Sequence, residues 1–254
     1  MAPDSPPPAW TDDDLSDPHA HPEKARRVQE MFAAIAEHYD LNNRVHSLWR
    51  DQAWRRAAVR LCHVQPDDVV LDVACGTGDL TLAFRRAGAR HTFGADFTYP
   101  MLQIADRKHH ALTDRIQNTT RFLAADAMRL PVADNSIDIV SIAFGIRNVT
   151  DPAAAIREFH RVLRPRGRVM ILEFSLPRSR TLRSLYGLYF NHVLPRTATW
   201  ISRDRTGAYK YLPRSVNTFL DRKIMIQMLQ DAGFTNATCK PLTFGVAAAY
   251  HAIR

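Results

Sequence analysis

Cysteine is scarce in this chain. Its three residues, Cys62, Cys75 and Cys239, are odd in number and far apart. Neither a disulfide framework nor a zinc site fits that spacing, so a reducing, cytosolic compartment is the simpler expectation. No stretch approaches the roughly 18 unbroken apolar residues that a spanning helix needs. The N-terminus lacks the basic start and apolar core of a secretory signal. No cluster of metal-ligating side chains is visible, so no metal is expected. What remains is ordinary: 254 residues, 46% hydrophobic and 24% charged, which suits one α/β domain or at most two small ones. Basic charge is in excess, at +8 net, but unevenly. Residues 1–23 hold six acids and neither Lys nor Arg, whereas 161–214 hold twelve Lys/Arg against Glu173 and Asp204. Such a segment attracts nucleic acid, an anionic membrane surface or an acidic partner, or is simply a solvated arginine-rich face.

Six prolines among acids and small residues make 1–23 read as a disordered tail, leaving 24–254 as the folded domain. Val28, Met31, Phe32, Ile35, Ala36 and Tyr39 fall at helical spacing, and a second helix is expected at about 48–61, so N-terminal helices fill 24–62. A short apolar run rich in β-branched residues at 69–74 and further strand-like runs at 91–95, 121–125, 137–143 and 168–173 alternate with helical stretches. That rhythm predicts an α/β fold with a parallel sheet covered on both faces. It breaks after Phe174. Leu182, Leu185, Tyr186, Tyr189 and Val193 form one apolar helical face amid arginines, and a helix at 223–232 and two closing strands follow.

The strongest local signal is Leu71-Asp72-Val73-Ala74-Cys75-Gly76-Thr77-Gly78-Asp79, a strand that turns through glycines into a helix. Gly76 and Gly78 let backbone approach a ligand. Position 81 is Thr rather than a third glycine, which weakens a dinucleotide reading, and the absence of a following Lys-Ser or Lys-Thr excludes a P-loop. Instead Asp72 and Asp79 flank the loop, suiting a ligand with an ammonium and a sulfonium. Asp96 ends the second strand, where an acid can hold a ribose diol. Asp126 follows the third, where an adenine edge would lie. Together these point to S-adenosyl-L-methionine as methyl donor, against the alternative that all are turn and cap residues. Cys75 reads as a small packed residue.

Further segments are specific. They include Met31-Phe32-Ala33-Ala34-Ile35-Ala36-Glu37-His38-Tyr39-Asp40 with Asn43, Ser47, Trp54 and Arg55, and Ala143-Phe144-Gly145-Ile146-Arg147-Asn148-Val149. Glu158-Phe159-His160-Arg161-Val162-Leu163, Leu172-Glu173-Phe174-Ser175 and Tyr209-Lys210-Tyr211-Leu212-Pro213 with Ser215 complete the set. From about residue 28 onward the chain resembles the demethylmenaquinone/ubiquinone C-methyltransferase family of class I methyltransferases. The resemblance implies a Rossmann-like fold with a mostly parallel seven-stranded sheet. It also implies methylation of a ring carbon of a polyprenylated quinol. The family's cofactor positions fall on Thr77, Asp96, Asp126 and Ala127, and on Ala143 where a serine is common. Trp49 and Arg166 stand where glycine is usual.

Arg147, Asn148 and Tyr39 are the catalytic candidates. Arg147 stays protonated and is a poor base, so its expected part is to stabilise a phenolate or orient a water. The alternatives are a structural salt bridge for Arg147, a turn cap for Asn148 and a core tyrosine for Tyr39. The helical segment at about 178–220 is expected to cover the substrate site and hold the lipid tail. Expected partners are the polyprenyl quinol and the anionic inner face of the cytoplasmic membrane, with a homodimer left open and no nucleic acid. A nucleic-acid methyltransferase is disfavoured: no Asp/Asn-Pro-Pro-aromatic motif follows the fourth strand, and no Pro-Cys nucleophile exists. A cofactor-binding scaffold and a sterol or phospholipid methyltransferase are the other rivals.

Overall fold

The computed structural model describes residues 9–11, 13–111, 119–202, 204 and 206–254. Two helices lead, α1 (Lys24–His46) and α2 (Arg50–Leu61). Then β1 (Val69–Val73), α3 (Asp79–Arg86), β2 (His91–Asp96), α4 (Tyr99–His110), β3 (Thr120–Ala124) and β4 (Ile137–Ala143) follow in turn. A single 3₁₀ turn, Ile146–Asn148, precedes α5 (Pro152–Val162) and β5 (Leu163–Phe174). Asp151 caps α5 by accepting from the Ala154 amide, with Pro152 at the first position, where its missing N–H costs nothing.

The expected seven-stranded sheet is present, in the order β3-β2-β1-β4-β5-β7-β6. Pairings among β1 to β5 are parallel, and β7 (Ala247–Ile253) lies antiparallel between β5 and β6 (Thr235–Leu242). β1 and β4 are neighbours although β2 and β3 intervene in sequence, so the chain reverses direction there. Ligands of open α/β sheets bind at the carboxyl ends of the strands beside that switch point. α5 and α9 (Arg222–Asp231) cover one face, through Ile156, Phe159, Met225 and Leu229. α2 and α3 cover the other, through Trp54, Ala58, Leu80 and Phe84.

A third apolar cluster lies beside the sheet's own cores. It joins Val28, Met31 and Ile35 of α1 to an arm built from α6 (Arg180–Leu188), a π-helical turn at Tyr189–Val193, α7 (Leu194–Ser202) and α8 (Ala208–Thr218). The N-terminal segment joins this cluster. The tail expected over 1–23 lies outside the described residues at 1–8 and 12, but the remainder packs against the domain. Trp10 is 2% exposed and stacks on Tyr211 with ring centroids 4.6 Å apart, and Leu15 is buried beside it. The Trp10 amide donates to the Thr206 carbonyl at 3.1 Å. Composition reads as disorder here because the anchors are few and scattered among prolines and acids: Trp10 and Leu15, with polar ties such as His19 to the Ser215 carbonyl and Arg27 to Asp14.

The basic segment is also less uniform than its sequence suggests. Arg161 pairs with Glu158 and Asp134, Arg164 with Asp138, and Arg168 with Asp68, so these three charges are neutralised at the base of the sheet. Trp49 and Arg166, which replace usual glycines, take φ values of 59° and 68°. Both therefore occupy the left-handed region that glycine enters without steric cost.

Candidate active site

Three cavities meet over the carboxyl ends of β1, β2 and β4. The first, of about 780 Å³, is lined by Gly76, Asp96, Met101, Asp126, Ala127 and Ala143, among others. The second, of about 300 Å³, lies over the glycine loop and is lined by Arg55, Asp72, Gly76, Thr77, Asp79 and Ala143 with their neighbours. The third, of about 880 Å³, is aromatic and lies between α1, α2 and the arm. Tyr39 lines all three, and Phe144 lines the first and third. Tyr39 on α1 is thus a wall shared by all three, and it also packs against the third apolar cluster. Burial pushes its phenol above the ordinary range.

Two backbone reversals make the junction. Ala74 at the end of β1 has φ 49° and Phe144 at the end of β4 has φ 58°. A Cβ on Gly145 would stand 2.6 Å from that of Ala74, so only glycine lets the two loops approach this closely. Gly76 and Gly78 differ. Gly76 opens onto two cavities, whereas Gly78 lines none of the three and starts α3 with φ 81°. A Cβ on Gly78 would come within 3.1 Å of Ala105 and Phe122. Its requirement is tight turning and packing, not ligand approach.

Asp96 is 7% exposed and accepts from the Gly76 and Thr98 amides, each at 2.8 Å, and burial raises its carboxyl above the ordinary value. Asp126 accepts from the Met128 amide at 2.9 Å and is exposed at the cavity edge. Asp72 accepts from Thr81 Oγ1 and Ser141 Oγ, each at 2.7 Å, and burial pushes its carboxyl up to about 6. Thr77 Oγ1 donates to Asp40 Oδ1 at 2.6 Å.

The loop acids are committed within the protein. Lys108 of α4 bridges Asp40 and Asp79, and Arg44 and Gln52 also reach Asp79, at 3.2 and 2.9 Å. Burial raises Asp79, but the Lys108 ammonium and the Arg55 and Arg44 guanidiniums outweigh it and hold the carboxyl below its usual value. The simple picture of two free carboxylates awaiting a cation therefore changes. Asp72 already accepts one hydroxyl on each oxygen, and Asp79 is part of a network tying α1 and α2 to α4. Sequence spacing could not show this, because Asp40, Arg44, Gln52 and Lys108 lie on three other segments.

Arg147 lines the aromatic cavity and is 4% exposed. Its Nη1 donates to Glu173 Oε1 at 2.8 Å and to the Phe144 carbonyl at 2.7 Å, and its guanidinium lies 5.3 Å from the Phe174 ring centroid. Asn148 lines the first cavity instead, and its Oδ1 accepts from the Tyr211 hydroxyl at 2.9 Å. Burial raises that phenol to about 12, so it remains a donor at neutral pH. The arm thus delivers a hydroxyl from the aromatic cavity to a side chain of the neighbouring one. Cys75 is buried, with its thiol pushed well up by burial, consistent with a packed residue.

Residues beyond the candidates of sequence reasoning also face the aromatic cavity. Asp51, His46, Trp54 and Tyr209 line it, and Asp51 pairs with Arg55 at 3.1 Å. Trp54, Arg55, Tyr209 and Tyr211 stood in recognisable motifs, but nothing in their spacing assigns them to one wall.

The model of a family described as ubiE/COQ5 methyltransferase matches residues 21–254. A relative from Deinococcus radiodurans, named demethylmenaquinone methyltransferase, is 44% identical over 226 residues, covering 89% of this chain and 91% of that one. One from Ruegeria sp., named ubiquinone/menaquinone biosynthesis C-methyltransferase UbiE, is 40% identical, covering 89% and 90%. Among solved structures, an S-adenosylmethionine-dependent methyltransferase from Aquifex aeolicus superposes with a TM-score of 0.57 at 14% identity, covering 86% of this chain and 97% of that one. That last likeness concerns the fold alone.

Proposed function

This chain belongs to the ubiE/COQ5 methyltransferase family and is an S-adenosylmethionine-dependent C-methyltransferase, and we propose that it methylates a ring carbon of a polyprenylated quinol. The acceptor is a demethylmenaquinol, a ubiquinol precursor or both, the two classes for which its relatives are named. The observation that carries the reading is the meeting of an aromatic cavity of about 880 Å³ with the donor cavities at Tyr39 and Phe144.

The residues present fit the donor piece by piece. Asp96 offers carboxylate oxygens to a ribose diol, while Asp126 and Ala127 edge a slot for adenine. Gly76, Thr77 and Ala143 face its amino-acid end, with Asp72 behind them. When bound, S-adenosylmethionine supplies a methyl group made electrophilic by its cationic sulfur. The protein's part is alignment and charge. Fixing a ring carbon in line with that methyl can supply ~7–11 kcal/mol. Arg147 sits in the acceptor cavity with its guanidinium fixed by Glu173 and Phe144. There it stabilises negative charge on the phenolic oxygen, and that charge makes the ring carbon nucleophilic. It stays protonated, so the proton leaves to water or another side chain. Tyr39 separates donor from acceptor and limits their approach to one geometry. Asn148 holds Tyr211 at the same boundary.

The test offers both quinols with S-adenosylmethionine and follows product mass. A ring-methylated quinol is expected, with turnover falling at least ~10²-fold in Arg147→Ala. Absence of product from either quinol overturns the substrate reading. An Arg147→Ala protein that binds donor normally and keeps full turnover overturns the assigned role.

The arm covers the aromatic cavity and turns a second face outward. Leu185 and Leu188 are 62% and 61% exposed, beside Leu182 and Val193, with Arg180, Arg183 and Arg196 around them. Among the described residues no helix is long and apolar enough to cross a membrane. An apolar face framed by arginines suits the interface of an anionic bilayer, from which a polyprenyl tail would be drawn. Co-sedimentation with vesicles should therefore need anionic lipid. Equal recovery on neutral vesicles, or a dimer that buries this face, overturns it.

A further inference from the structure

Arg55 has a guanidinium with donors to spare in a place that rewards them. It is 7% exposed and lines both the small cavity over the glycine loop and the aromatic one. Guanidinium carries five N–H donors. Among the described residues only Nη1 is engaged, by Asp51 Oδ2 at 3.1 Å and the Asp51 carbonyl at 3.4 Å, and the buried Nε has no hydrogen-bond partner. A buried donor left unmade costs about 1–3 kcal/mol, so such a group calls for an explanation.

Its surroundings hold it still. Asp51, which fixes one edge, is itself held by Ser47 Oγ at 3.0 Å and Gln52 at 2.9 Å. The Phe144 ring lies 5.3 Å from the guanidinium carbon on another side. Across the cavity stand Asp72 and Asp79, both of whose carboxyls feel the positive field of Arg55. Arg55 is the one cation in the lining of the small cavity among the described residues. Lys108 and Arg44, the other nearby cations, are absent from that lining and are spent on Asp40 and Asp79.

The donor's amino-acid end carries both an ammonium and a carboxylate. Asp72, whose two hydroxyl partners leave acceptor capacity on its carboxyl, can answer the first, but a carboxylate placed beside Asp72 and Asp79 would be repelled unless a cation met it. We propose that Arg55 binds the carboxylate of S-adenosylmethionine, with Asp51 as the clamp that presents it. The inference rests on the reading of these cavities as the donor site. It adds a residue on α2 to a site otherwise built from the sheet's edge and α1. α2 thereby joins the donor's carboxylate to the acceptor cavity, which Asp51 and Trp54 also line.

Isothermal calorimetry with two ligands tests it: S-adenosylmethionine and its decarboxylated form, which keeps the ammonium and sulfonium. A charged hydrogen bond to a fixed guanidinium predicts that the wild-type protein binds the carboxylate-bearing donor roughly 10–100-fold more tightly. Arg55→Met should collapse that ratio toward one by weakening the carboxylate-bearing donor, without weakening the decarboxylated form, whose positive charges the lost guanidinium had repelled. Arg55→Lys, which keeps a cation beside Asp51, should retain part of the ratio and provides a second variant should the first not fold. A wild-type ratio near one overturns the proposal. So does a variant that weakens both ligands equally, since Arg55 would then be structural. A wild-type protein that binds neither ligand overturns the donor reading itself, a result separate from these.

Discussion

Replacing Glu173 by Gln keeps the side chain's shape and removes its charge, leaving the Arg147 guanidinium buried without its counter-ion. The two side chains are only 5% and 2% exposed and meet at 2.8 Å. At that separation and an effective dielectric near 20, their attraction is about 6 kcal/mol. Desolvation of each ion costs several kcal/mol and offsets most of it, so the intact pair contributes little net stability. Loss of one partner is not symmetrical. The attraction goes and the guanidinium's desolvation cost stays, with the Phe144 carbonyl as its remaining close acceptor. Glu173 also accepts from the Arg147 and Phe174 amides, and an amide oxygen can keep only some of those bonds. Glu173→Gln should therefore destabilise the fold by about 3–5 kcal/mol. For a chain of this size that is a Tm fall of roughly 6–20 °C. Guanidinium-chloride unfolding, followed by a lowered midpoint at constant slope, measures it. The double variant Glu173→Gln/Arg147→Met, which removes both charges, should recover most of the loss. A single variant within about 1 kcal/mol of wild type, or a double variant no more stable than the single, would refute the account of a buried charge in need of its partner.

Two other expectations concern the glycine loop. Burial lifts Asp72 from 3.8 to about 6, so between those pH values the folded protein holds a proton that the unfolded chain has released. Stability should fall as pH rises through that window, by up to about 3 kcal/mol from this group, and stay lowered above it. Asp72→Asn cannot titrate and should flatten that part of the curve in denaturant titrations from pH 4 to 7, whereas an unchanged slope would show that other groups set it. Gly78→Ala forces a left-handed residue into a site where its Cβ meets Ala105 and Phe122 at 3.1 Å. A loss of roughly 1–3 kcal/mol is expected from the unfolding midpoint, and an unchanged midpoint would mean that the loop relaxes freely.

The sheet was legible because strand-like runs such as Val69–Val73 and Ile137–Ala143 alternate with helices, and because Gly76 and Gly78 mark where β1 turns. Asp96 and Asp126 follow from strand ends by the same logic. The N-terminal segment was not legible: composition weighs six prolines and six acids against Trp10 and Leu15, while those two apolar side chains and a few long-range polar ties hold its described part to the domain. Arg55 was hidden for another reason. Its helical neighbours are arginines on a polar-looking stretch, Trp54-Arg55-Arg56, and only the fold shows that Arg55 turns inward while Arg56 is exposed. The acid-rich loop misled in detail because Lys108 lies 29 residues away from Asp79 yet satisfies it. Local pattern reports which groups are present. It cannot report which are already paired across the fold.

Ala74 and Phe144 connect these points. A non-glycine residue in the left-handed region costs about 1–2 kcal/mol, and the fold accepts two such residues at the ends of adjacent strands. Neither is needed to end a strand, since many loops do so without strain. What the pair achieves is position: Ala74 lines the first cavity and the one over the glycine loop, and Phe144 lines the first and the aromatic one. Phe144 also gives its carbonyl to Arg147 and the side of its ring to Arg55. One strained residue thus sits against two buried guanidiniums, Arg147 in the aromatic cavity and Arg55 between that cavity and the one over the glycine loop. Strain of this kind persists only where surrounding packing over-determines it. Here Trp54 and Phe174 enclose the Phe144 ring from two sides. The meeting of these cavities is therefore built into the backbone at the switch point, and the aromatic residues around Phe144 keep it there.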